Sequence, residues 1–180
     1  MQTIHDPIPI VEELFTPWKA SLAGEYRGYR NHVYRMLHFC FGLAPCSDAD
    51  REKLCIAGVF HDMGLWIDDS FDYIPASIPP ALACLKGRNL SAHSHEISLM
   101  ISEHHKLREY REKAFPLVEL FRKGDLVDVS LGLCRFGLDN AYVRAVRGHF
   151  PNAGFHVKLA RRAARWVVRH PLDPAPMMKW

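Results

Sequence analysis

The 180-residue chain is 48% apolar and 24% charged, with a formal net charge of +3. That is enough to bury one full core, too short for two comfortable domains, and too weakly basic for composition alone to demand or exclude a nucleic-acid partner. No apolar run approaches the roughly 18 residues of a membrane-spanning helix, and residues 1–7 lack the charged-then-apolar pattern of a signal peptide. A cytoplasmic protein with no membrane partner is expected. The cysteines Cys40, Cys46, Cys55, Cys84 and Cys134 contain no Cys-x-x-Cys pair and read as free thiols of a reducing compartment.

In chain order the punctuation is helical. Residues 11–23 form a first predicted helix, kinked near Pro17 and closed by Gly24. Residues 25–43 form a second, in which Tyr29, His32, Val33, Met36, Leu37 and Cys40 recur at steps of three and four. Pro45 and the N-cap candidate Ser47 separate it from a third over residues 48–63, where Asp48 and Asp50 suit a helix N-terminus. Residues 64–79, with Asp68, Asp69, Asp72 and several prolines, read as a loop overhanging a site. A short fourth helix starts near Pro80 and ends at Lys86-Gly87. A fifth runs from Ser91 through His105. A sixth, over residues 113–131, carries Leu117, Val118, Phe121, Asp125 and Asp128 on one stripe.

Two more helices cover residues 139–149 and 152–170. The last bears a basic stripe, Lys158, Arg161, Arg162, Arg165 and Arg169, opposite Phe155, Leu159, Ala163 and Trp166, which reads most simply as a solvated face. Nucleic acid is not expected as a partner, since no helix-turn-helix or aromatic platform accompanies the stripe. No segment alternates as a strand would. The expected fold is an all-α, compact single domain over residues 1–180, with a core at about 25–132, additional C-terminal helices at 133–170 and a loose tail at 171–180.

The chemistry gathers where apolar helical runs meet polar residues. The run Cys55-Ile56-Ala57-Gly58-Val59-Phe60 ends in His61-Asp62, a pair that would cost several kcal/mol to bury without a partner. His32 lies on the apolar stripe of the second helix; alone, it reads as a hydrogen-bonded core histidine. Asp125 interrupts an inward stripe where a solvated aspartate is out of place. A divalent cation satisfies imidazole nitrogen and carboxylate oxygen together, so these two histidines and two aspartates, from three helices, form a candidate ligand set.

Their order, His32, then His61-Asp62, then Asp125, resembles the H…HD…D signature of the HD-domain superfamily of metal-dependent phosphohydrolases. The flanks Asn31-His32-Val33-Tyr34-Arg35, Phe60-His61-Asp62-Met63-Gly64 and Arg122-Lys123-Gly124-Asp125 are similar to that family's signature segments, over roughly residues 25–132. The resemblance implies a helical bundle in which His32, His61, Asp62 and Asp125 hold one divalent metal ion, Mn, Mg, Fe, Co, Ni or Zn, that activates water for attack on a phosphate ester. The implied partner is a small phosphorylated substrate, with nucleotides among the candidates and homo-oligomers left open. His104, His105 and Asp128 are the candidate proton-transfer groups, Asp128 being equally readable as a carboxylate that orients a ligand. Of the adjacent histidines, one is expected to point inward: His105 with Ile97 and Ile101 is favoured, and His104 with Ile97 and Met100 fits nearly as well. Arg35 and Lys106, with Arg108 beyond them, are the candidates to meet a phosphate.

The departures from the family narrow what carries over. Gly124 stands where alanine is common. Leu65 stands where the deoxynucleotidases carry a catalytic glutamate and the cyclic-di-GMP phosphodiesterases a lysine, and Leu65-Trp66 occupy the acidic positions of the alarmone hydrolases, so none of those reactions transfers. Members with two metals add two histidines before the final aspartate. Here His104 or His105 supplies one and only His93 or His95 is left for the other, which favours one metal. Metal-dependent oxygenases and hydratases use the same scaffold, as do regulatory modules without turnover; the intact four-residue set counts against the last.

Overall fold

The computed structural model describes residues 3–68 and 70–178, and within them the chain winds around one buried helix. Pro9–Phe15 (α1) gives way at Pro17 to a 3₁₀ turn, and Lys19–Leu22 (α2) and a second 3₁₀ turn lead into Tyr26–Leu43 (α3). The helix α3 is buried from Gly28 to Cys40 along nearly all its faces, the position expected of the central rod of a bundle. It stops because Pro45 forces Ala44 into an extended conformation, φ −149° and ψ 150°. Asp48–Phe60 (α4) opens on a reciprocal cap: Asp50 N donates to Ser47 Oγ and Ser47 N to Asp50 Oδ2, both at 3.2 Å.

Gly64–Ile67 (α5) is a single turn, followed by Ile74–Gly87 (α6), Ser94–Glu103 (α7), Pro116–Val129 (α8), Asn140–His149 (α9) and Phe155–Arg169 (α10). No β-strand occurs among the described residues. The molecule is a compact all-α single domain. One apolar cluster runs through it, with α8 packed along α3 and α4 and α7 beside them.

The boundaries differ from the predicted ones where proline and capping were misread. Helix α6 starts at Ile74, not near Pro80, because Pro75 sits in the first turn, where its missing N–H is not needed; Pro79 and Pro80 are carried inside the helix. Of the expected overhanging loop, Asp68 and Ser70 to Tyr73 stay irregular, and Asp69 lies outside the described residues. Helix α4 ends at Phe60, leaving His61 and Asp62 in a turn, and α7 ends at Glu103, just before the histidine pair. The expected tail is exposed over residues 170–174 and anchored at two points: Met177 is 5% exposed, and Trp166 Nε1 donates to Asp173 O at 2.8 Å. Lys179 and Trp180 lie outside the described residues.

Candidate metal centre

Two close helix approaches assemble the site. A Cβ at position 124 would lie 2.9 Å from Met36 O and collide with Cys40 Sγ, so glycine there lets α8 lie against α3 and brings Asp125 and Asp128 to His32. At Gly64 a Cβ would meet the Tyr73 carbonyl carbon at 2.9 Å. Gly64 N donates to Ser77 Oγ at 2.9 Å and that hydroxyl to Tyr73 O at 3.1 Å, which clamps the start of α6 onto the His61-Asp62 turn.

The hydrogen bonds behind the rings fix their tautomers. His32 Nδ1 lies 2.7 Å from Asp128 Oδ2, His61 Nδ1 2.8 Å from Gly58 O, and His104 Nδ1 2.7 Å from Ile101 O. Each of these partners is an acceptor, so each Nδ1 carries a proton, and Nε2 is the atom each ring turns toward the others and frees when a cation replaces any proton there. Nε2 of His32 is 3.1 Å from Nε2 of His61 and 3.4 Å from Asp125 Oδ1. Asp62 Oδ2 lies 3.3 Å from His61 Nε2 and 3.8 Å from His32 Nε2, while its Oδ1 lies 3.4 Å from His104 Nε2. Asp62 Oδ1 and His104 Nε2 are buried with no hydrogen-bond partner. His38, two turns along α3, shows what a structural histidine looks like: it donates from Nδ1 to Tyr34 O at 2.7 Å and accepts His5 N at 2.9 Å on Nε2.

Charge follows the same geometry. Burial opposes ionisation of Asp62, yet the His61 and His104 rings outweigh it and hold the carboxyl well below the usual range. Burial disfavours a charged His61, but the Asp62 and Asp125 carboxylates override it and push the ring up to about 9. The acceptor cluster thus draws a positive charge to its middle. Such a donor set fits a divalent cation.

His32, His61 and Asp62 make one group whose ligand atoms all lie within 4.8 Å of one another; Asp62, His104 and His105 make a second. Asp62 belongs to both. The expected single ligand group is therefore joined by an overlapping one that could also hold an ion. Its histidines are the adjacent pair, not one of them with His93 or His95, which line a separate cleft beside Lys53, Glu96 and Phe115.

The remaining candidates sort differently from expectation. Asp128 is fully buried behind His32, away from the cleft, and acts as the carboxylate that orients that ring. Burial would raise its pKa, but hydrogen bonds from His32 and Arg35 hold it well below the usual carboxylate range. Arg35 does not face a substrate. Its guanidinium forks onto Asp128, Nε to Oδ1 at 2.5 Å and Nη2 to Oδ2 at 2.8 Å, and reaches Phe150 O at 3.0 Å. The inward member of the histidine pair is His104, 3% exposed, because α7 ends at Glu103 and His105 does not continue the Ile97–Ile101 stripe. His105 is half-buried and pairs through Nε2 with Tyr73 Oη at 2.5 Å; burial and the neighbouring His104 hold its pKa well below the usual imidazole range. Lys106 lines the cleft, 3.7 Å from Glu103, and Arg108 is exposed outside it.

Three contributors went unread in the sequence. Tyr29 Oη accepts Asp62 N at 3.2 Å and donates to Val59 O at 2.9 Å, bracing the ligand turn; its place one turn before His32 was the available signal. Tyr73 lay in a stretch read as loop. His156 lines the cleft at the start of α10, its Nε2 3.1 Å from Asp128 O.

Over the cluster opens a cleft of about 520 Å³, with Tyr73, His104, His105 and Asp125 at its polar end. The basic stripe of α10 faces elsewhere: with Phe71 and Trp166 it lines a 340 Å³ cleft, and Arg162 there reaches Leu65 O at 3.1 Å and Glu25 at 3.5 Å. No helix among the described residues is long and apolar enough to cross a membrane. Compared with models of known families, with curated proteins and with solved structures, the chain matches none.

Proposed function

We propose that the chain is a metal-dependent hydrolase of the HD superfamily and cleaves a phosphate ester at a dinuclear centre. His32, His61, Asp62 and Asp125 would hold one divalent cation, and Asp62, His104 and His105 the other. The observation that carries this reading is the convergence of three Nδ1-protonated imidazoles and two carboxylates whose free lone pairs face one another, His32 and His61 at 3.1 Å. Bound divalent cations supply Lewis acidity that lowers the pKa of water toward neutrality and polarises a phosphoryl oxygen.

The chain's own residues do the rest. Asp128, Gly58 O and Ile101 O lock the three rings so that their lone pairs stay aimed inward. Burial of the cluster excludes bulk water, and His105 Nε2–H donates to Tyr73 Oη at 2.5 Å, which leaves Nδ1 as that ring's ligand atom and the Tyr73 hydroxyl proton at the cleft wall, where a leaving oxygen needs one. The five unpaired cysteines support a reducing, cytoplasmic setting.

A second reading, hydration or oxygenation of an uncharged substrate on the same centre, is favoured by the engagement of Arg35 with Asp128 and of Arg122 with Glu119 at 2.7 Å, which leaves neither guanidinium for a phosphate. Metal analysis of the purified protein, a phosphatase and phosphodiesterase panel and an oxygen-electrode trace separate the two. The expected result is two metal equivalents and phosphate release, both lost in Asp62→Ala. An Asp62→Ala protein that keeps metal and turnover would show the centre to be elsewhere.

A further inference from the structure

We infer that the substrate of this centre has an apolar body, larger than a few atoms, that lies along α8, α10 and the C-terminal segment while one polar end meets the cluster. The inference rests on the metal-centre reading and names the class of molecule that the centre takes. The walls of the 520 Å³ cleft come from Leu126 and Val129 on α8, Leu159 and Ala163 on α10, and Pro174 and Met177 of the C-terminal segment. Phe71 and Met178 extend the same apolar lining.

Polar groups gather at the cluster end. Two cations line the cleft, and both are engaged: Arg122 places Nε and Nη2 on the Glu119 carboxylate at 2.8 and 2.7 Å, and Lys106 Nζ lies 3.7 Å from Glu103. A nucleotide placed here would bring ribose hydroxyls and base edges against Leu, Val, Ala and Met side chains and leave them unpaired, a penalty that a site selective for nucleotides avoids. An alkyl or aryl chain meets no such penalty, and the volume lies within the range of small-molecule pockets.

The test uses the metal-loaded full chain and straight-chain hydroxamates from acetohydroxamate to octanohydroxamate, whose common head group seeks metal, with binding read by calorimetry. Each added methylene is expected to tighten binding roughly fourfold until the cleft is filled. Ala163→Asp, which places a carboxylate in the wall, flattens that slope with metal content and melting temperature unchanged, whereas Arg161→Gln on the other face of α10 keeps it. Bound acetohydroxamate with a flat series in the unmodified protein, or AMP binding more tightly than octyl phosphate, overturns the apolar substrate and leaves the metal centre standing. A protein that takes up no metal and fails to bind acetohydroxamate overturns the centre itself, and this inference with it.

Discussion

His32 and Asp128 carry the residue-scale logic of the site. The Asp128 carboxylate accepts the Nδ1 proton of His32 at 2.7 Å and two guanidinium hydrogen bonds from Arg35, so a single buried anion sets one ligand's tautomer and anchors a buried cation. Asp128→Asn replaces an obligate acceptor with an amide that can donate to Nδ1, which moves the ring proton to Nε2 and turns it toward the cluster. Metal affinity should fall by about 10- to 100-fold in a competition titration. Stability should fall by roughly 3 kcal/mol, because Arg35 loses its charge partner while buried. Gly124 gives a second prediction. The α3–α8 contact leaves no room for a Cβ, so Gly124→Ala should lower stability by roughly 1–3 kcal/mol in denaturant titrations, even though alanine is the better helix former. The family resemblance flagged that glycine as a departure; its cause, the Cys40 side chain beneath it, is a tertiary contact that no local pattern encodes.

Helices were legible at the element scale wherever their own ends announced them. Ser47 caps α4 as read, with Asp50 of the first turn completing the cap, Asp139 caps α9 by accepting Ala141 N at 2.7 Å, and Pro45 ends α3. The start of α6 was not legible, because three prolines argued against a helix that the Gly64–Ser77–Tyr73 clamp holds in place. The choice between His104 and His105 was close for a related reason: Ile97, Met100 and Ile101 are all buried, so periodicity gives either histidine an inward row, and α7 stops at Glu103, directly before the pair. Ser47→Ala should cost about 1 kcal/mol of stability. The cap also has a pH signature. The Ser47 hydroxyl, donating to Asp50 Oδ2 at 2.7 Å, is the main cause holding the Asp50 carboxyl below its ordinary value. A depressed folded-state pKa contributes stability that is present above the unfolded value of about 3.9 and is lost as pH falls through the folded one. The melting temperature of Asp50→Asn should therefore lie below that of the unmodified protein at pH 7, and the gap should close as the pH drops below about 4. A gap unchanged at pH 2 would assign the stabilisation to something other than the charged form.

The bundle of the whole molecule, and the inward turn of His32, His61, Asp62 and Asp125, follow from patterns within the sequence; the cleft does not. It is made by segments far apart in the chain, α8, α10 and residues 174–178, of which the last reads as tail because Pro171, Pro174 and Pro176 leave no periodicity to read. What holds that segment is tertiary: Met177 is inserted to 5% exposure, the Asp173 carbonyl accepts the Trp166 indole N–H at 2.8 Å, and Met178 N donates to Ala175 O at 3.0 Å. With one buried anchor and few backbone bonds, the segment should open separately from the core. Met177→Ala removes most of the anchor at a cost of about 2 kcal/mol, which corresponds to roughly thirtyfold faster amide exchange for a unit that opens on its own. Residues 175–178 should show that acceleration by hydrogen-exchange mass spectrometry while amides of α3 keep theirs, and the affinity of a long-chain hydroxamate should weaken more than that of acetohydroxamate, since only the longer one reaches the wall that has loosened. Equal acceleration in α3 would instead make the segment part of the global folding unit, with the cleft wall as rigid as the bundle it closes.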